Sequence, residues 1–150
     1  MENEINKNSA NDGSGNKLRT YAKYKKEFAY ESYLNFSKDF GKRKSITKLR
    51  ISAHRLEIEC GRYKKVEESK RLCRNCNLNV IENEQHVLLT CPKYATCRNS
   101  TFSKLYDIFP DLVSKNDSSM FCFLLACNDS EIFHLLSAML QNIIALRGEV

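Results

Sequence analysis

RLCRNCNLNVIENEQHVLLTCPKY, residues 71–94, crowds Cys73, Cys76, His86 and Cys91 into one short segment. Their spacing, C-x2-C-x9-H-x4-C, is that of a ligand set for a metal ion. Zinc takes four nitrogen or sulfur ligands in a tetrahedron. A C-x2-C turn meets half of that demand locally. It brings two sulfurs to one side, and the intervening backbone N–H groups can donate to them. Arg74 and Asn75 form the turn, and asparagine suits it. The residues NLNVIENEQ then leave and return, with Val80-Ile81 as their adjacent apolar pair, so a short hairpin-like excursion is expected.

His86 and Cys91 pose a geometric problem. On a straight helix two positions five apart point about 140° away from each other, at about 100° per residue. Pro92 supplies the remedy, because the residue before a proline is pushed out of the helical region. Cys91 is therefore expected in extended geometry just past a helical turn from Glu84 to about Leu89. Pro92 can then open the next helix. Three thiolates around Zn²⁺ leave a net negative charge, which Arg71, Arg74 and Arg98 can offset. Glu82 or Glu84 can accept from the second imidazole nitrogen. Four protein ligands leave no open position, so the expected ion is one structural Zn²⁺, contributing on the order of 10 kcal/mol to folding. The competing interpretation is buried free thiols beside a core-edge histidine.

Upstream, apolar residues from Lys17 to about Asp39 recur near helical spacing, which predicts an amphipathic helix, bent or broken near Phe28 and ended by Gly41. A second helix is expected from an N-cap at Ser45 to a stop at Gly61. It has an apolar stripe of Ile46, Leu49, Ala53, Leu56 and Cys60, and a second apolar line through Ile51 and Ile58. Downstream, a helix is predicted from Pro92 to Phe109. The run 118–128 fits a helix or a buried strand equally well. A final helix is capped by Asp129 or Ser130 and ends at Arg147-Gly148. The fold class expected is mostly α, about five helices with a small irregular CCHC zinc-knuckle insert. Its divisions are a disordered leader over 1–16, a basic helical segment over 17–70, the knuckle over 71–98 and a C-terminal helical segment over 99–150. Residues 17–150 form one unit in this reading.

The chain has 150 residues, about one domain, and no apolar run approaching the ~20 residues that a bilayer span requires. Its leader lacks the pattern of a signal peptide, so an intracellular, thiol-reducing location is expected, with nucleus and cytoplasm not distinguished. Among the seven cysteines, Cys60, Cys97, Cys122 and Cys127 read as small buried hydrophobes. The net charge of +6 is unevenly spread: residues 17–74 carry eighteen Lys/Arg against seven acids, a net of +11. Such a segment suits a phosphate-rich partner, or else is a solvated helix surface.

These motifs together resemble a known family. The matching positions are Thr47 to Arg50, His54 to Tyr63 (HRLEIECGRY), Arg71 to Cys76 and Glu82 to Arg98. They are similar to the region after the polymerase core in non-LTR (LINE-like) retrotransposon reverse transcriptases. The resemblance covers roughly residues 17–109, with Val87 standing where many relatives would carry phenylalanine. It implies a C-terminal zinc knuckle that helps a polymerase hold template RNA or target DNA. No Asp-Asp pair and no glycine-rich phosphate loop is present, so neither polymerase nor endonuclease chemistry is expected.

The function expected is a non-catalytic, zinc-binding, nucleic-acid-binding module. Arg43, Lys44, Lys48, Arg55, Arg62, Lys64 and Lys65 would contact phosphates of RNA or DNA, and Tyr63 or Tyr94 would stack on a base or pack beside the zinc. The alternative is a zinc-stabilised protein-interaction or scaffold domain, or a remnant of such an element. A stand-alone enzyme built on Cys97 and His86 lacks a third orienting group, so no catalytic residue is assigned. His54 and His134 have no Cys or His at ligand spacing and are read as structural or exposed. Neither a membrane nor a small-molecule substrate is expected as a partner.

Overall fold

The computed structural model describes residues 18–27, 29–126 and 128–148. The leader expected over 1–16, the bend at Phe28 and Cys127 lie outside them. The chain is mostly α. Six α-helices occur among the described residues: α1 (Arg19–Tyr24), α2 (Phe40–Arg50), α3 (Glu57–Tyr63), α4 (Ala95–Ile108), α5 (Asp117–Ala126) and α6 (Ser130–Leu146). Their extended pairing is limited to an antiparallel bridge between Leu72 and Ile81. No single described helix is long and apolar enough to cross a membrane.

Helix α6 is the central packing element. Asp129 caps it, accepting from the backbone N–H of Glu131 at 2.8 Å and Ile132 at 3.2 Å. Ile132, Phe133, Leu136, Met139, Leu140 and Ile143 are all buried along it. This wide apolar face packs against α2 on one side and α4 on the other, while α1 packs on α5. Tyr33, from a short 3-10 turn over Ser32–Asn35, stacks on Phe133 with ring centroids 6.2 Å apart. Arg50 is buried between the rings of Tyr24 and Tyr33, with its guanidinium carbon 4.8 and 4.5 Å from their centroids. It also donates to the Leu125 carbonyl and pairs with Glu31 at 2.6 Å, tying α1, α2 and α5 together.

The stretch before the cysteines departs from the periodicity reading in several places. The helix expected over 17–39, bent or broken near Phe28, is interrupted on both sides of that residue: α1 ends at Tyr24 and a 3-10 turn follows over Ser32–Asn35. Gly41 does not end a helix; it lies in the first turn of α2, whose cap is Asp39, accepting from Lys42 N–H at 3.1 Å. Ser45 is therefore no N-cap but an interior residue that donates to the Lys42 carbonyl at 2.8 Å. The single helix expected to Gly61 breaks after Arg50, where Ser52 adopts φ 55° and its buried hydroxyl donates to Glu84 at 2.7 Å. That break separates Ile51, half-buried, from Ile58, which is buried on α3, so the two form no common line.

Gly61 also fails to stop its helix, which continues to Tyr63. Its role is space. A Cβ at Gly61 would lie 2.5 Å from Cγ and 2.8 Å from Cδ of Arg71, whose side chain crosses the helix there. Downstream, the ambiguous 118–128 run is helical as α5. Cys60, Cys97 and Cys122 are half-buried instead of buried, the first two donating weakly to the Arg55 and Tyr94 carbonyls.

Candidate metal centre

The site is built on a loop and a turn. Cys73 N–H donates to the Val80 carbonyl at 2.8 Å, and Glu82 N–H to the Arg71 carbonyl at 2.9 Å, closing the hairpin-like excursion. The backbone N–H of Asn75, inside this loop, favours a thiolate at Cys73, and that of Lys93, after Pro92, favours one at Cys91. Both are contacts two residues ahead of a cysteine, and both lower the cost of carrying a thiolate there.

Asn83 starts the second half of the site by accepting the His86 N–H at 2.8 Å on its side-chain oxygen, as an N-cap does. After Glu84 and Gln85 the chain widens into a π-helical turn over His86–Thr90, in which Cys91 N–H donates to the His86 carbonyl at 2.8 Å. The wider turn returns the fifth residue beneath the first, which an α-turn would not do. Cys91 then sits in extended geometry, φ −62° and ψ 121°, as Pro92 requires.

The result brings the four side chains together. One ligand atom from each of Cys73, Cys76, His86 and Cys91 lies within 4.8 Å of all the others. The Cys73 and Cys91 sulfurs are 4.0 Å apart, and His86 Nε2 is 3.5 Å from the Cys76 sulfur. A tetrahedron with metal–sulfur bonds of about 2.3 Å has sulfur–sulfur edges of about 3.8 Å. Three of the four residues are buried and the fourth half-buried. These residues fit a metal ion.

The tautomer of His86 follows from its neighbour. Thr90 Oγ1 lies 3.3 Å from the His86 carbonyl, to which it donates, and 2.9 Å from His86 Nδ1. A hydroxyl has one hydrogen, so with that hydrogen on the carbonyl the oxygen accepts from Nδ1–H. Nε2 is left as a bare lone pair facing the sulfurs. Burial lowers the imidazole's affinity for a second proton, which keeps that lone pair available. This corrects the expectation that Glu82 or Glu84 would hold Nδ1. Threonine four residues after a ligand histidine was the available signal, since i and i+4 share a helix face.

The two carboxylates do other work. Glu82 receives Arg147 at 2.5 Å, Asn75 Nδ2 at 3.0 Å and the Glu57 N–H at 2.8 Å; the Cys73 thiol points at it from 3.6 Å. Glu84 receives Arg19 at 2.8 Å and 2.9 Å, Ser52 at 2.7 Å and His54 Nε2 at 2.8 Å. Burial would raise both carboxyls, but these donors hold each below the ordinary carboxylate range. Arg19 also pairs with Glu59. The thiols behave differently: burial, with Cys91 and Glu82 nearby, pushes Cys73 up to about 12, and burial raises Cys91 as well. Their surroundings alone do not ionise them, whereas a coordinating cation would.

The arginines expected to offset the sulfur charge divide. Arg98 donates to the Cys91 carbonyl at 3.1 Å. Arg71 is buried and spent on the Val66 and Ile58 carbonyls, and exposed Arg74 pairs with Glu57 at 3.2 Å. Of the residues expected to meet phosphate, Lys44, Lys48, Arg55, Lys64 and Lys65 are exposed. Arg43 donates instead to the Ser37 carbonyl, and Arg62 pairs with Glu59 at 2.9 Å while lying over the Tyr63 ring at 4.4 Å. Tyr94 is fully buried, its hydroxyl receiving Arg147 at 3.2 Å, so it stacks on no base. Tyr63 is 68% exposed. The His134 and Phe133 rings meet edge to face, their centroids 5.4 Å apart. No family model, curated protein or solved structure matches this chain.

Proposed function

We propose that the chain is a non-catalytic zinc-binding module that holds nucleic acid, template RNA or target DNA, as its likeness to the region following a retrotransposon reverse transcriptase core implies. Three sulfurs and one imidazole at tetrahedral separations make zinc the ion of choice over harder cations, which prefer oxygen. With four protein ligands the ion's role is structural.

The observation that carries the nucleic-acid reading is the end of α3. Tyr63 presents an exposed ring backed by the Arg62 guanidinium, and Lys64 and Lys65 follow in the open. An aromatic face beside exposed cations suits an unpaired base and its phosphates. This helix is fastened to the metal loop, because Ile58 N–H donates to the Glu82 carbonyl at 3.1 Å and Arg71 returns a bond to the Ile58 carbonyl at 3.0 Å. Metal binding would therefore fix the position of the Tyr63 surface.

The alternative, a protein-docking scaffold, draws on exposed Leu72, Leu78 and Val80 of the hairpin loop. One experiment separates the two. Single-stranded RNA binding to the zinc-loaded protein is measured against salt, with Lys64→Glu/Lys65→Glu and Tyr63→Ala as variants. The proposal expects log affinity to fall with log salt by about 0.7 per phosphate contacted, and both variants to weaken binding. A flat salt response, or RNA retention indifferent to the charge reversal, would sink it and leave the scaffold reading.

A further inference from the structure

Between α4 and the start of α5 lies a cavity of about 490 Å³, within the range of about 300–1,000 Å³ typical of small-molecule sites. One wall is a single face of α4, carrying Arg98, Asn99, Phe102, Ser103 and Tyr106. The opposite wall brings Lys115, Asp117 and Met120. None of these residues belongs to the ligand set or to the Tyr63 surface.

Arg98 is the unusual member, at 9% exposure. Of its five N–H donors, one is accounted for, by the Cys91 carbonyl. Among the described residues no carboxylate forms an ion pair with it, although the charge of Asp117, which lines the same cavity, acts on it from farther off. A guanidinium this deep is ordinarily paired with an anion. Lys115 faces the same space, its ammonium 5.4 Å from the Phe123 ring centroid and bound to no acid among the described residues. Asn99, Ser103 and Tyr106 add an amide and two hydroxyls to the same lining.

Two cations and several neutral donors converge on one volume, with a single acid, Asp117, against them. The dianionic charge and multiple acceptors of a phosphate monoester match this set better than the two oxygens of a carboxylate, which one arginine fork would satisfy. The rest of the lining describes the rest of the ligand. Asp117 can accept from hydroxyls of an attached sugar. Phe102 and Tyr106, edge to face at 5.9 Å, give a planar ring an apolar contact.

We propose that this cavity binds the phosphate of a nucleotide, free or at the end of a strand, with Arg98 and Lys115 as its charged ligands. The site does not depend on the nucleic-acid reading of Tyr63, and either can fail without the other.

The test titrates isotope-labelled, zinc-loaded protein with inorganic phosphate, adenosine, adenosine 5′-monophosphate, and one short RNA bearing either a 5′-phosphate or a 5′-hydroxyl. Amide shifts over residues 98–120 report on binding. The monophosphate is expected to saturate with a Kd below about 1 mM and to bind more tightly than either phosphate or adenosine. A further preference for 5′-phosphorylated over 5′-hydroxyl RNA would identify the strand end as the source; equal RNA binding would identify the free nucleotide. Lys115→Glu, at an exposed position away from the metal, should weaken the monophosphate by about tenfold or more with zinc content unchanged. Arg98→Lys should weaken it as well, while Lys64→Glu/Lys65→Glu should not. No saturation by any phosphate, or binding that ignores Lys115→Glu, overturns the proposal.

Discussion

Thr90 and Gly61 show how much a single side chain, or its absence, decides here. The threonine hydroxyl fixes which imidazole nitrogen faces the sulfurs. Thr90→Val keeps the branched shape and removes the acceptor. Zinc affinity, read by competition with a chromophoric chelator, should fall by about 10- to 100-fold. Gly61→Ala places a methyl on the Arg71 side chain, which is pinned at Nε and Nη1 and has little room to yield. Destabilisation of about 1–3 kcal/mol is expected in denaturant unfolding of the zinc-loaded protein. The four ligand positions were legible from spacing, because sulfur and imidazole in such a pattern have few other uses. Thr90 was not, since a hydroxyl four residues from a histidine occurs in countless helices. Gly61 was visible but misread: at a helix end a glycine suggests a stop, and nothing in the chain announces that an arginine will cross it.

At the scale of elements, helix periodicity located α4 and α6 well because their apolar faces continue without interruption up to a proline or a glycine. It failed between Phe40 and Tyr63 for a tertiary reason. The pattern of Ile46, Leu49, Leu56 and Ile58 remains near-helical across the break, yet the buried Glu84 carboxylate draws the Ser52 hydroxyl and turns the backbone there. Propensity cannot foresee a carboxylate more than thirty positions away. The π-helical turn at His86–Thr90 was foreshadowed by its purpose, the return of Cys91 to His86, though not by its form. Its N-cap offers a direct check. Asn83→Ala should cost about 1 kcal/mol of turn stability. Because folding and metal capture are coupled, that loss should appear as about a fivefold drop in zinc affinity, which Asn83→Asp restores.

For the whole molecule, the Glu31 cluster provides a pH-dependent lock away from the metal. Burial tends to raise this carboxyl, but hydrogen bonds from Lys25 and Tyr21 and the charge of Arg50 prevail and hold it below its ordinary value. A depressed folded value means the stabilisation is present above the unfolded carboxyl's titration and is lost as pH falls through the folded one. Glu31→Gln should therefore be less stable than the parent near neutrality, and the gap should close between about pH 5 and 3 in urea unfolding. Taking the difference between two proteins cancels the acid release of metal common to both.

Arg19, near the first described residue, grips Glu84, and Arg147, near the last, grips Glu82. Both acids stand on the approach to His86, so two segments 128 positions apart in sequence, at Arg19 and Arg147, converge on one bend. A finger cut out as residues 71–98 would carry those two carboxylates with neither guanidinium, adding bare negative charge beside sulfurs already rich in it. It should make a poor cassette for grafting. In the intact chain, loss of the cation should loosen amide protection at α1 and at the end of α6 in concert, as arches slacken when their shared springer is withdrawn.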